Sequence, residues 1–209
     1  MRNLLIALLS AFLPAVALAD HIPPARFEIT PMIGFATGGS FDDDVSDASF
    51  DVDDNAIVGL TFHITSVTGG QYEFSYWRED TSLESPLLFT PGPEFDVTVD
   101  YLQVGGTYPA DFGKGWHPYI VATIGAARWD PDQAGLDSET FFAGTIGGGL
   151  RYNMTERVAL KLEGRALASF LDSNSSVFCF SNGGGGCAIA ASGDLVTRWT
   201  ASAGVAFRW

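Results

Sequence analysis

The C-terminal stretch, residues 194–209, constrains the fold of this chain more than any other part of the sequence, because its mostly apolar residues recur at every second position. A period of two is the pattern of a β-strand, in which successive side chains point to opposite faces. Trp199 and Trp209 stand on the same face. A tilted strand of the length between them rises roughly 25 Å along a membrane normal, about the height of the apolar band of an outer-membrane barrel. The stretch therefore predicts a membrane-spanning strand with an aromatic residue at each edge of that band.

The N-terminal residues 1–19 have the pattern of a cleaved secretory signal peptide. Arg2 precedes an apolar run, and an Ala-x-Ala cleavage site follows at positions 17–19. A membrane-anchoring helix is the alternative, but the run is shorter than the ~20 residues that a span needs, and Pro14 interrupts it. We therefore expect an exported protein with one mature domain over residues 20–209.

Composition limits the partners and the cysteine chemistry. The chain has 11 Lys and Arg residues against 25 Asp and Glu residues, a formal net charge of -14. Such an acidic chain is not expected to bind nucleic acid. In an exported chain, Cys179 and Cys187 predict a disulfide. Metal binding by these cysteines is the minor alternative, since neither has a neighbouring histidine, and we expect no metal site and no cofactor.

Eight strand-like runs follow one another along the mature chain, separated by alternating long and short connections. They cover residues 26–36, 55–64, 71–79, 95–108, 117–129, 140–152, 157–170 and 194–209. An even number of strands with short turns at one end and long loops at the other predicts an all-β fold, an eight-stranded antiparallel up-and-down transmembrane β-barrel. In the fourth run, Phe95, Val97, Val99 and Tyr101 are expected to face outward, but Leu102 and Val104 stand on the opposite face. A β-bulge would explain this change of face.

The two faces of these runs predict two different surroundings. Outward aromatic residues are expected to form a girdle at the membrane interfaces; these are Tyr119, Trp129, Tyr152, Trp199, Phe207 and Trp209. Inward charged residues of both signs are expected to pair, because an unpaired buried charge is costly; these are Glu28, Glu73, Arg151, Lys161, Glu163, Arg165 and Arg198. Eight strands enclose an interior that side chains can fill. The pattern therefore favours a salt-bridged plug over a polar lining that an ion or a small solute could thread.

Four motifs carry a family resemblance. Residues 117–119 open a Gly- and Ala-rich run, a glycine-rich motif at residues 147–152 precedes a tight turn, and residues 160–165 and 204–209 complete the set. Together with the signal peptide, they resemble the small eight-stranded outer-membrane β-barrel family, the OmpA-transmembrane-domain, OmpX and OmpW-like group also called opacity-type or porin-family barrels. The chain departs from the family at Trp209, where such barrels more often end in Phe.

The resemblance implies a location, partners and a role. It implies the cell outer membrane of the Gram-negative type, contact with outer-membrane lipid and lipopolysaccharide, and recognition of the C-terminal strand by the barrel-assembly machinery. With a filled interior, it favours a non-enzymatic structural or surface-interaction role carried by the long loops. The alternatives are a narrow channel for ions or small molecules, apolar ones included, and, with least support, a lipid-modifying enzyme, which would need a Ser–His pair at the outer rim. The sequence identifies neither an external ligand nor an oligomeric state.

The first long connection is rich in aspartate, and its carboxylates are candidate cation contacts. They are Asp42, Asp43, Asp44, Asp47, Asp51, Asp53 and Asp54. Calcium takes six to eight oxygen ligands, but the Gly and the terminal Glu of an EF-hand-type loop are missing. The charge density favours a solvated, self-repelling loop, with contact to divalent cations at a bacterial surface as a hypothesis.

Overall fold

The computed structural model describes residues 27–43, 48–66, 69–84, 94–110, 115–132, 137–170, 175–180, 186–191 and 195–209. The predicted signal peptide lies outside the described residues. Twelve strands run through them: β1 (Phe27–Thr37), β2 (Ser40–Asp43), β3 (Ala48–Asp51), β4 (Asn55–Thr65), β5 (Gln71–Glu84), β6 (Glu94–Pro109), β7 (Trp116–Pro131), β8 (Glu139–Asn153), β9 (Val158–Phe170), β10 (Ser175–Phe180), β11 (Gly186–Ala191) and β12 (Leu195–Arg208). No helix in these ranges is long and apolar enough to cross a membrane.

Eight of the strands close into one antiparallel barrel. The order around the wall is β1, β12, β9, β8, β7, β6, β5 and β4, and β4 pairs again with β1. The prediction of an eight-stranded up-and-down barrel is confirmed. The pairs β2–β3 and β10–β11 form two separate small sheets inside connections that were expected to be loops. In the second of these sheets, Cys179 is the backbone partner of Cys187, and the disulfide between them stays a prediction.

The short turns lie at one end of the barrel, together with both ends of the described chain. The Phe27 N–H donates to the Trp209 carbonyl oxygen at 3.1 Å, and the Trp209 N–H returns a bond of the same length. In the turn after β4, Gly69 adopts a φ of 89°, a conformation that favours glycine. We call this end of the barrel the turn end and the opposite end the loop end.

The wall is polar inside and apolar outside, the reverse of a water-soluble protein. On β9, Lys161, Glu163 and Arg165 are buried in the interior, whereas Leu162 is exposed on the outside. On β8, Ile146 is 69% exposed. Exposed apolar side chains that alternate with buried polar ones are typical of a wall that faces hydrocarbon.

The bulge predicted in the fourth run is wrong. Strand β6 keeps one register along its whole length with both β5 and β7. Val97, Val99 and Tyr101 point into the barrel and are buried, while Leu102 and Val104 are exposed on the outside. The apparent change of face arises because the interior itself becomes apolar towards the loop end, so that both faces of β6 carry apolar residues.

A layer of large apolar side chains fills the barrel above its middle, on the side of the loop end. Ile57, Trp77, Tyr101 and Leu167 are all fully buried there. Trp77 has room because its cross-strand partner on β4 is Gly59, where a Cβ would lie only 2.4 Å from Cε3 of the indole. This apolar layer lies between two groups of charged side chains.

Candidate functional site

All seven charged residues that were predicted to face inward lie inside the barrel. Six of them are at most 4% exposed, and the side chain of Arg151, near the turn end, is 13% exposed. They occupy inward positions on β1, β5, β8, β9 and β12. Because these positions lie at different heights, the side chains form one group from the turn end to the middle and another at the loop end.

Glu28 on β1 is the centre of the charges at the turn end. Its carboxylate pairs with Arg151 and lies 3.3 Å from Nε of Arg208 and 3.8 Å from Nζ of Lys161. Nδ1 of His63 lies 3.7 Å from the same carboxylate. Nitrogen-bearing side chains from four different strands thus converge on one buried carboxylate.

A second carboxylate, Glu73 on β5, carries the network towards the middle of the barrel. Nε2 of His63 lies 3.0 Å from its Oε2, and the Thr107 hydroxyl donates to the same oxygen at 2.9 Å. Nη1 of Arg165 lies 2.8 Å from the other oxygen. Since β5 and β9 stand on opposite sides of the wall, the Arg165–Glu73 pair spans the interior.

The third carboxylate, Glu163, completes the network. It pairs with Arg165 and accepts a hydrogen bond from the Tyr119 hydroxyl at 2.7 Å. Nζ of Lys161 lies 4.9 Å from the centroid of the Tyr119 ring. Every carboxylate of this group has at least one cationic partner, which is the condition for burying such charges. We call the set the inner ion network: Glu28, His63, Glu73, Arg151, Lys161, Glu163, Arg165 and Arg208.

A separate polar group lies inside the barrel at the loop end. Arg198 on β12 pairs with the carboxylate of Glu79 on β5. Its guanidinium also donates to the backbone carbonyl oxygens of Gly38, Val52 and Asp53, the last two at 3.1 Å and 2.8 Å. We call this arrangement of Arg198, Glu79 and the three carbonyl groups the outer clasp. It ties both ends of the first long connection to the barrel interior.

The clasp holds residues 52–54, the mouth segment, at the loop end of the barrel. Val52 is 5% exposed, and Asp53 exchanges bonds with Ser82: the Asp53 N–H donates to the Ser82 carbonyl oxygen at 3.1 Å, and the Ser82 hydroxyl donates to the Asp53 carboxylate at 2.8 Å. Hydrogen bonds from Thr37 and from the Gly38 N–H hold the pKa of the Asp54 carboxyl below its usual value. The segment is therefore anchored through main chain and side chains alike.

A comparison of the sequence with protein families identifies the family of this barrel. The chain matches the model of the outer membrane protein β-barrel domain over residues 4–207. The chain belongs to this outer-membrane β-barrel family. Its location is therefore the cell outer membrane.

Two solved structures share the fold of this outer-membrane barrel. Neisserial surface protein A (NspA) matches with a TM-score of 0.60 at 15% sequence identity, over 87% of this chain and 96% of that chain. The outer membrane protein OprG from Pseudomonas aeruginosa matches with a TM-score of 0.53 at 12% identity, over 88% of this chain and 96% of that chain. A comparison with curated proteins finds no match. At such low identity, the likeness shows the fold.

The six aromatic residues that were predicted to form a girdle do not all face outward in this outer-membrane barrel. Tyr152, Trp199, Phe207 and Trp209 lie exposed on the outer wall. The prediction for Tyr119 and Trp129 is wrong, because both side chains point into the barrel and are 5% and 4% exposed. They share the inner face of β7 with Thr123. The ten-residue spacing of Tyr119 and Trp129 on one face suggested a lipid-facing girdle, but the Tyr119 hydroxyl bonds to Glu163 and Trp129 packs among the buried apolar residues.

Sequence reasoning missed Glu79 and the role of His63. Glu79 stands at an inward position of β5, six residues after Glu73, and β5 continues to Glu84, beyond the predicted end of the run. The period-two pattern from Glu73 would have placed Glu79 in the interior. The sequence places His63 on the inward face but does not identify the two carboxylates that flank it.

The aspartate-rich connection is only partly described. Asp53 and Asp54 belong to the mouth segment, and their carboxylates accept hydrogen bonds from protein groups. The side chains of Asp42, Asp43 and Asp51, and the whole of Asp44 and Asp47, lie outside the described residues. Within the described ranges, no group of three or more His, Cys, Asp or Glu residues could hold a metal ion.

Proposed function

We propose that this outer-membrane barrel is a closed, non-enzymatic scaffold that presents its long connections at the loop end for a structural or surface-interaction role. The observation that carries the proposal is the outer clasp, in which Arg198 and Glu79 hold the mouth segment across the opening. The inner ion network forms a second closure towards the turn end. With two polar closures and an apolar layer between them, no solute would pass through the interior. The loops are then the part of the protein that contacts a partner.

The energetics of the interior support a permanent plug. Arg165 pairs with Glu73 and Glu163, and all three side chains are buried. Removing one partner of a buried pair costs about 3–5 kcal/mol, because a charge is left without compensation. A path for ions would have to disrupt buried pairs both in the inner ion network and in the outer clasp. The narrow channel is therefore the less favoured function.

Planar-bilayer conductance of the detergent-refolded barrel tests the proposal. Wild type is expected to insert without conductance steps, and so are Arg165→Ala and Arg198→Ala, since each leaves one closure in place. The double variant is expected to conduct. Arg128→Ala is the matched control, because Arg128 pairs with Asp130 at an exposed position. Reproducible conductance of the inserted wild-type barrel would overturn the closed-scaffold proposal in favour of a narrow channel.

We further propose that outer-membrane lipid and lipopolysaccharide contact the outer wall, and that the barrel-assembly machinery recognises the C-terminal strand β12. Trp199 on this strand and Trp209 directly after it are both exposed, which supports both contacts. Replacing Trp209 with Ser is expected to lower the amount of folded barrel in outer-membrane fractions. Trp116→Ser, which removes another exposed aromatic residue at the turn end, serves as the control. Equal losses from both variants would contradict a specific role for β12.

A further inference from the structure

Five buried side chains near the middle of the barrel each present a polar atom that has no hydrogen-bond partner among the described residues. All five side chains are at most 2% exposed. The atoms are Oγ1 of Thr61, Oγ of Ser75, Nε1 of Trp77, Nε2 of Gln103 and Nη2 of Arg165. Buried polar groups in folded proteins nearly always have a partner, so a group of exceptions points to a bound water molecule or ion.

Four of the five residues are neighbours on one side of the wall. Thr61 on β4 is the cross-strand partner of Ser75 on β5, and Ser75 is the cross-strand partner of Gln103 on β6. Trp77 is the next inward residue after Ser75 along β5. Directly opposite residues in a sheet have Cβ atoms about 5 Å apart, which places the four side chains around one small region.

The fifth group reaches this region from the opposite wall. Nη1 of Arg165 lies 2.8 Å from the Glu73 carboxylate, and Cζ of the same guanidinium lies 5.0 Å from the Trp77 ring. Ser75 stands between Glu73 and Trp77 on the same face of β5. The guanidinium that contacts both neighbours therefore lies over Ser75.

The orientations of Trp77 and Gln103 direct their free donors into the same space. The six-membered ring of Trp77 rests against Gly59 of β4, so the opposite edge, which carries the N–H, is turned away from Gly59. Oε1 of Gln103 accepts hydrogen bonds from the hydroxyls of Thr123 and Thr145, at 2.9 Å and 2.7 Å. With the amide in this orientation, its NH₂ group is left to another partner.

The chemistry of the five groups selects the ligand. Three of them only donate hydrogen bonds, while the hydroxyls of Thr61 and Ser75 both donate and accept. An apolar ligand would leave the donors unpaired. A small anion would gain little, because the charge of Arg165 is already compensated by Glu73 and Glu163. Water is neutral, accepts from the donors and can donate to the hydroxyl oxygens.

We propose that Thr61, Ser75, Trp77, Gln103 and Arg165 form a binding site for an enclosed cluster of water molecules. Buried waters make about three hydrogen bonds each, so the five groups suit about two molecules. The cluster connects the β4–β5–β6 side of the wall to Arg165 on β9 and marks the upper limit of hydration inside the barrel. Above it, Ile57, Tyr101 and Leu167 form a dry layer.

Trp129 provides an internal control for the proposal. Its Nε1 is also buried without a hydrogen-bond partner among the described residues, but its cross-strand neighbour on β6 is the apolar Val99. In the refolded barrel, magnetisation transfer from bound water to the indole N–H is expected for Trp77 and not for Trp129, with the signals assigned through Trp77→Phe and Trp129→Phe. Absence of transfer to Trp77, or equal transfer to both indoles, would overturn the water site.

The stabilities of the same two variants test the water site independently. Both substitutions remove one indole N–H and a similar volume, but only the Trp77 N–H would lose water partners. We expect the folding equilibrium constant of Trp77→Phe to be roughly fivefold or more below that of Trp129→Phe, the size of one net hydrogen bond. The reverse order would contradict the proposal. A crystal grown in bromide that shows an anomalous peak within contact distance of Arg165 and Trp77 would assign the site to an anion instead and overturn the choice of water.

Discussion

At the scale of single residues, the interior depends on pairs whose members come from distant strands. Arg165 is the clearest case, because it pairs with Glu73 across the barrel and with Glu163 on its own strand. Both carboxylates are buried, so neither can exchange the guanidinium for bulk water. Each pair therefore matters to stability mainly because removal of one partner would leave the other charge buried without compensation.

Replacing Arg165 with Met is expected to lower the free energy of unfolding by about 3–5 kcal/mol, because two buried carboxylates lose their shared cation. Urea unfolding of the refolded barrel in lipid vesicles measures the change. Arg128→Met is the control, and its exposed pair with Asp130 is expected to contribute at most about 1 kcal/mol. A loss for Arg165→Met no larger than that of the control would show that the network is not essential to the fold.

A second residue-scale prediction concerns the close packing of β4 against β5. Gly59→Ala is expected to destabilise the barrel by about 1–3 kcal/mol, because the new Cβ would lie 2.4 Å from the Trp77 ring. Gly164→Ala is the matched control, since the nearest atom to its added Cβ is 3.7 Å away. Unfolding midpoints of the two variants make the comparison, and equal midpoints would contradict the packing argument.

At the scale of elements, the first long connection is part of the barrel rather than an appendage. Arg198 binds its carbonyl groups at Gly38, Val52 and Asp53, and Val52 is buried at the mouth. The small sheet β2–β3 lies between these anchors. A buried arginine on the last strand therefore anchors both ends of the connection that carries this sheet.

Replacing Arg198 with Met is expected to release the mouth segment while the barrel stays closed. Limited proteolysis with an Asp-specific protease should then cleave within residues 37–54 roughly tenfold faster than in wild type, because opening of an anchored segment precedes cleavage. Retained mobility of the folded band in gel electrophoresis would show that the barrel is intact. Unchanged cleavage would mean that other contacts, such as those of Ser82, suffice to hold the segment.

At the scale of the whole molecule, the solvent on each side of the wall determines which substitutions the barrel tolerates. Ile146 is 69% exposed on the outer face of β8, a position that in a water-soluble protein would accept a charge at little cost. In an outer-membrane barrel, an arginine near the middle of the lipid-facing wall costs about 2–4 kcal/mol.

Ile146→Arg is therefore expected to destabilise the barrel by about 2–4 kcal/mol in lipid vesicles, and much less in a detergent micelle that deforms around the charge. Glu156→Arg, in the exposed turn between β8 and β9, should leave stability unchanged in both media. Equal, small effects of the two substitutions in vesicles would place the outer wall in water.

The sequence by itself determined the eight strands of the barrel and, for most of them, the face that turns inward. Alternation is a local property, since neighbouring side chains of a strand point to opposite sides whatever the rest of the chain does. It identified the seven charged interior residues for this reason. Alternation did not show which face of β6 turns inward, or that Trp129 points into the barrel. Apolar residues stand on both sides of the wall near the loop end, and a period of two then no longer distinguishes a lipid-facing side chain from an interior one.

Only the tertiary structure decided which interior groups meet. The outer clasp joins Arg198 to the carbonyl group of Asp53, 145 residues away, and the inner ion network brings His63 between Glu28 and Glu73. Such contacts follow from the closure and stagger of the barrel, which set the height of every side chain relative to those on the opposite wall. The local sequence pattern contains no information about that stagger. The sequence therefore predicted the charged residues of the interior, whereas closure of the barrel determined how they pair.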